Sequence, residues 1–96
     1  MNLDLTKYSD KTLCLIYKEY INDKKKVFST HNIESDFPNV NREKFRYSLD
    51  ELKSNKLINL DILGNYSLTS DGIIYMEHRF QNKVDKVIDY ISKLIP

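Results

Sequence analysis

The stretch VNREKFRYSLDELKSNKLINLDILGNYSLT, residues 40–69, carries a helix signal that gives way to a strand signal within a single turn. Asn41 is suited to accept hydrogen bonds from the first free amides of a helix, so a helix is predicted from near Arg42, with Val40 outside the cap as a hydrophobic staple. Phe45, Leu49 and Leu52 recur at helical spacing and define its buried side. Asn55, near its end, tolerates the left-handed conformation that stops helices. Leu57 to Leu63 is too short and too branched for a helix, and Ile58, Leu60 and Ile62 alternate with Asn59 and Asp61 as a half-buried strand does. Gly64-Asn65 reads as the hairpin turn, and Tyr66, Ser67 and Leu68 as the returning strand.

Upstream, Leu13, Ile16, Tyr17, Tyr20 and Ile21 share one stripe of a helix that starts near Asp10 with Ser9 as a suitable N-cap. Leu3, Leu5 and Tyr8 precede it without a clear period. Asn22 to Lys26 is a polar loop, and Val27-Phe28 gives it an extended end. Ser29 or Thr30 can cap a brief second helix holding Ile33 and Phe37, which Pro38 stops because the residue before proline is pushed out of the α region.

Downstream, Thr69 or Ser70 caps a last helix whose first turn holds Asp71. Its pattern runs unbroken to about Leu94. Ile73, Met76, Phe80, Val84, Val87, Ile88, Ile91, Leu94 and Ile95 fall within about 120° of one another, with Arg79, Asn82, Lys86, Asp89 and Lys93 opposite. The positions of Phe80, Val84, Val87, Ile91 and Leu94 alternate spacings of four and three, as a coiled-coil seam does. About 24 residues at 1.5 Å each give about 36 Å, more than the roughly 30 Å width of so small a domain. The far end is therefore expected to project, and Phe80, Val84, Val87, Ile88, Ile91, Leu94 and Ile95 to form a homodimer seam. The other solution is a helix that bends back onto Leu3, Leu5 and Tyr8.

The chain has 96 residues, 41% hydrophobic and 30% charged, which fits one soluble globular domain over residues 1–96. No stretch approaches the roughly 18 apolar residues of a spanning helix, and the N-terminus has no leader pattern, so a cytoplasmic protein with no membrane partner is expected. Cys14 is the single cysteine and sits among Leu13, Leu15 and Ile16, as a buried thiol would. The net charge is only +1, so charge alone nominates no partner. Up to Lys56 there are eleven basic and nine acidic residues, so the mild positive bias lies with the first three helices.

In Phe45 to Ile58, leucines at 49 and 52 lead through a turn into Leu57-Ile58. In Gly64 to Glu77, Tyr66 and the Leu68-Thr69 pair precede Gly72 and an apolar helix. Both passages resemble those of winged-helix regulators, and the likeness, covering about residues 10–77, is to small bacterial and phage winged-helix proteins, including PadR-like and YjcQ-like ones. The resemblance implies an α+β, mostly α fold: a winged helix-turn-helix with a core over residues 10–69, a two-stranded β-hairpin wing, and a long C-terminal helix over 70–96. It also implies a transcriptional regulator whose third helix enters the major groove of double-stranded DNA, whose wing touches the neighbouring backbone, and whose last helix makes the dimer.

On the third helix, Arg46 and Tyr47 are placed to reach base edges and phosphates, and Arg42, with the free amides behind Asn41, to hold a phosphate. Lys44 and Lys53 line its edges. Lys24, Lys25 and Lys26 can add charge from the first loop. The hairpin carries no Lys or Arg between Leu57 and Thr69, so its contacts would come from Asn65, Tyr66 or backbone amides. Against DNA stand Glu43 and Asp50, centred on the same face. They leave open a solvated helix, or a winged-helix module that binds a protein, such as an accessory or inhibitory factor of a phage or mobile element. Catalysis is not expected: His31 and His78 lack metal-ligand spacing, no Gly-rich phosphate loop is present, and no cofactor is implied.

Overall fold

The computed structural model describes residues 5–81 and 83–94. Their order is α1 (Lys7–Asp23), β1 (Phe28–Ser29), a 3-10 turn (Thr30–Asn32), α2 (Ile33–Asp36), α3 (Arg42–Ser54), β2 (Ile58–Leu60), β3 (Asn65–Leu68), α4 (Ser70–Phe80) and α5 (Val84–Leu94). The fold is α+β and mostly helical. Among the described residues no helix is long and apolar enough to cross a membrane.

Helix α1 starts earlier than expected. Thr6, not Ser9, is its N-cap and accepts from the Ser9 amide, while Ser9 itself is buried in the first turn. The expected stripe holds, with Leu13, Ile16 and Tyr17 fully buried. Ser29 caps the 3-10 turn by accepting from His31 N–H, and Ile33 and Phe37 close over the core from either end of α2.

At α3, Asn41 accepts from the Lys44 amide at 3.0 Å, and Phe45, Leu49 and Leu52 are buried. The left-handed residue at its end is Lys56 (φ 61), not Asn55. The Leu57 amide bonds the Leu52 carbonyl at 3.0 Å and the Lys56 amide bonds that of Lys53 at 2.9 Å, a Schellman closure that buries Leu57 beside Leu52.

The sheet has three antiparallel strands in the order β1-β3-β2, rather than two. Phe28 pairs with Tyr66 and Ser29 with Asn65, while Ile58, Asn59 and Leu60 pair with Leu68, Ser67 and Tyr66. Aromatic contact recruits β1: the Phe28 ring stacks on Tyr66 at 5.3 Å, and Phe37 and Phe45 extend the cluster into the helices. This ring cluster joins the sheet to α2 and α3. At the other end of the hairpin, Gly72 lies so close to the Leu57 carbonyl that a Cβ would come within 2.1 Å of it.

The long C-terminal helix does not form. Gln81 is left-handed (φ 53) and ends α4 by bonding the Glu77 carbonyl, and α5 then turns back to pack on α1 and α4. The principal extents are 31 × 26 × 26 Å, so no element among the described residues projects as a rod. Asp10 explains the reversal. Arg79, expected on the solvated side, donates to Asp10 from both guanidinium tips at 2.6 and 3.2 Å, and Tyr90 Oη donates to the same carboxylate at 2.5 Å. The Arg79 guanidinium also lies 4.8 Å from the Tyr90 ring and 4.9 Å from that of Phe80. Burial opposes the charge on Arg79, but Asp10 holds its pKa above the ordinary value; Tyr90 is raised too, first by its bond to Asp10.

Candidate nucleic-acid interface on α3 and the β2–β3 hairpin

Helix α3 turns one face to the core and leaves the other uncovered. Arg42, Glu43, Lys44, Arg46, Tyr47, Asp50 and Lys53 are all exposed. Arg42 comes no nearer than 3.7 Å to Glu34 Oε1, and both side chains are well solvated, so that pair holds it weakly. The Lys44 ammonium stands 6.0 Å from the Tyr8 ring. Among the described residues, Arg46 and Lys53 have no ion-pair partner.

Two carboxylates near this face are already occupied. Glu51 Oε1 accepts from the Thr6 amide at 2.9 Å and from its hydroxyl at 3.3 Å, closing the start of α1 onto α3. Asp61 Oδ1 accepts from the amides of Leu63 and Asn65, both at 2.9 Å, and Oδ2 from the Asn65 side chain at 3.3 Å. The bonds from Asn65, with smaller ones from Leu63 and Gly64, hold the Asp61 carboxyl below its ordinary pKa. Glu43 and Asp50 remain as the exposed acids of the face.

Between α3 and the hairpin lies an open recess of about 490 Å³, with Arg46, Tyr47, Glu43 and Asp50 on the helix side and Leu60, Asp61, Ile62 and Gly64 on the hairpin side. The reversal is not at Gly64-Asn65, as expected, but spans Asp61 to Gly64. The Gly64 amide bonds the Asp61 carbonyl at 3.1 Å, and Gly64 has φ +86. Asn65 already belongs to β3. The consequence is an apolar tip: Ile62 is fully exposed and Leu63 is 71% exposed. Asp at the first and Gly at the fourth position of a turn was the sequence signal for this.

The expected contact residues are therefore not equivalent. Arg42, Lys44, Arg46, Tyr47 and Lys53 share the open face, while Asn41 commits its side-chain oxygen to the helix cap. Tyr66 cannot touch a ligand, because it is 1% exposed within the ring cluster, where burial raises its pKa; neither its hydroxyl nor Asp36 Oδ2 has a partner among the described residues. Asn65 braces the turn instead of presenting itself. Lys25 is used at 2.8 Å by Asp36 and lies over the Phe28 ring, whereas Lys24, left-handed at the end of α1, and Lys26 are exposed.

The dimer seam is largely consumed within the chain. Phe80 and Val87 are buried, Val84 and Ile91 are half-buried, and Ile88 alone of the described seam is exposed. Ile95 and the Leu94 side chain lie outside the described residues, as does Leu3. Among the described residues no group of three or more His, Cys, Asp or Glu side chains could hold a metal ion. No protein-family model matches the chain, and neither a curated protein nor a solved structure aligns with it significantly.

Proposed function

We propose that this chain is a small winged-helix protein that binds double-stranded DNA through α3, acting as a transcriptional regulator in the cytoplasm of a bacterium or phage-infected cell. The observation that carries this reading is the uncovered face of α3, where Arg42, Lys44, Arg46 and Lys53 are exposed beside Tyr47 while Glu51 and Asp61 are occupied by donors. The order helix, strand, helix, helix, hairpin, with the first strand joined to the hairpin, supports the winged-helix reading. In that arrangement α3 lies in the major groove, with its cations on phosphates and Arg46 and Tyr47 at base edges. Duplex binding measured by fluorescence anisotropy across a salt series tests it. Affinity should fall steeply with salt, and Arg42→Ala with Arg46→Ala should lower both affinity and salt slope. No binding at low salt, or no effect of the double substitution, overturns the reading.

Glu43 and Asp50 favour a second reading, in which the same face docks a protein with a basic rim. Glu43→Gln with Asp50→Asn separates the two. The neutralised face should bind DNA more tightly if DNA is the ligand, and a protein partner more weakly if that is the ligand.

A further inference from the structure

Strand β2 lies at one edge of the sheet, at the end of the order β1-β3-β2. The Thr69 amide bonds the Leu57 carbonyl and the Asp61 amide bonds the Asn65 carbonyl, both at 3.0 Å, so Leu57, Asn59 and Asp61 spend their backbone groups on the β3 side. Antiparallel bonds alternate along a strand, and Ile58 and Leu60 therefore turn their N–H and C=O groups outward, toward the open edge. A recess of about 590 Å³ runs along Ile58, Asn59 and Leu60, and no strand among the described residues fills it. We propose that this edge pairs with the same edge of a second copy of the chain, antiparallel about a two-fold axis at Asn59, to make one six-stranded sheet.

Charge selects a second copy and the antiparallel sense. The start of β2 is tied to the start of α4, where Thr69 Oγ1 bonds the Lys56 carbonyl at 2.7 Å. Lys53 and Lys56 stand there against Asp71 alone, a surplus of one positive charge. At the other end of β2, Glu43, Asp50 and Asp61 stand against Arg46, a surplus of two negative charges. Antiparallel pairing brings each positive end against the negative end of the second copy, twice over, as a two-fold interface requires. Pairing in the parallel sense would bring like against like.

The backbone fits the same arrangement. Ile58 faces Leu60 of the second copy and Leu60 faces its Ile58, so four hydrogen bonds form from groups that the single chain leaves to water. Ile58, Asn59 and Leu60 carry neither charge nor proline, two of the devices that blunt an exposed edge. Ile62, fully exposed in the single chain, is carried to the Lys56 end of the second copy, where a lysine stem covers apolar surface. Four net hydrogen bonds over so short a strand correspond to a dissociation constant on the order of 1 mM, so the chain is a monomer at micromolar concentration. Two copies held side by side on one ligand meet at local concentrations of that order, and the edge then makes their binding cooperative. The pairing does not depend on what α3 binds.

The test uses the whole chain without ligand. Between about 0.1 and about 2 mM, sedimentation should show a rising mass, and amide exchange at Ile58 and Leu60 should slow about twofold while that at Asn59, already bonded to β3, stays the same. Asn59→Lys sets two ammonium groups together at the axis and should weaken association about tenfold. Asn59→Cys sets two thiols across a pair whose Cα atoms are about 4.5 Å apart, within disulfide reach. It should cross-link about tenfold faster than Ser92→Cys on α5, with buried Cys14 taking no part. Asn59 and Ser92 are exposed, so circular dichroism of each variant should match the wild type. A wild type still monomeric at about 2 mM overturns the pairing and leaves the edge for an extended segment of another protein. Association that Asn59→Lys does not weaken, or cross-linking no faster at residue 59 than at residue 92, overturns it as well.

Discussion

Arg79 and Asp10, 69 positions apart, meet as a two-pronged ion pair that accepts Tyr90 as a third member. It joins the end of α4, the start of α1 and the middle of α5 at one carboxylate. Both side chains are mostly covered, so removing either leaves an uncompensated charge. Asp10→Ala should destabilise the fold by about 2–4 kcal/mol in urea titrations, and Arg79→Ala by a similar amount. The double variant should cost clearly less than the sum, and strict additivity would refute the coupling.

The same cluster should bear on self-association. With Phe80 and Val87 buried inside the chain, the described apolar residues still open on α4 and α5 are chiefly Ile74 and Ile88. Single exposed residues of this kind are ordinary on a monomer. Sedimentation at micromolar concentration should give a monomeric mass for the wild type. Asp10→Ala, by loosening α5, should raise the association tendency, and a dimeric wild type would contradict this account.

How far the fold was legible depends on whether each element is decided locally. The cap at Asn41 and the stripe of Phe45, Leu49 and Leu52 are local and appear as expected. The break at Gln81 is not: neither glycine nor proline marks it, and the apolar period continues in phase through Val84 and Val87. A contact from the opposite end of the chain ends the helix, and Asp10 has no local reason to be chosen for it. The hairpin was readable in kind but not in register, because Gly64-Asn65 competes with the Asp61–Gly64 turn. That displacement moved Asn65 into β3 and left Ile62 and Leu63 exposed at the turn.

Cys14 gives a pH-dependent prediction. Burial, reinforced by the charge on Asp10, pushes its thiol up from 9.0 to about 12. The folded pKa exceeds the unfolded one, so the stabilisation is fully present below about pH 9 and is lost as pH rises from there through about 12. The thiol should be unreactive toward Ellman's reagent at pH 8 in the folded chain and react on addition of denaturant. Cys14→Ala should flatten the fall in stability above pH 9. Buried Tyr66 contributes a slope of the same sign, so the flattening should be partial.

The two glycines should rank in a definite order. Gly72→Ala drives a methyl toward the Leu57 carbonyl, which is fixed by its bond from the Thr69 amide at 3.0 Å. Gly64→Ala meets the Thr30 side chain, which can rotate, but must hold φ +86. About 1–2 kcal/mol is expected at Gly64 and about 3 kcal/mol at Gly72. Thermal unfolding checks the order, and a milder effect at Gly72 would mean that the hairpin and α4 are less tightly joined than their geometry states.

Lys56 couples stability to the proposed function in opposite directions. It occupies the left-handed position of the Schellman closure after α3, where glycine is favoured and a lysine side chain is strained. Lys56→Gly should therefore stabilise the fold by about 0.5–1 kcal/mol, the relief of strain exceeding the added flexibility of the unfolded chain. The same change removes one of the two lysines that line the recess beside β2 and the start of α4. If that flank meets a phosphate, the slope of log affinity against log salt should shrink by about one while the melting temperature rises. A variant that is more stable yet binds DNA more weakly separates the ligand contact from the scaffold. An unchanged salt slope would remove Lys56 from the interface and leave Lys53 as the cation on that side.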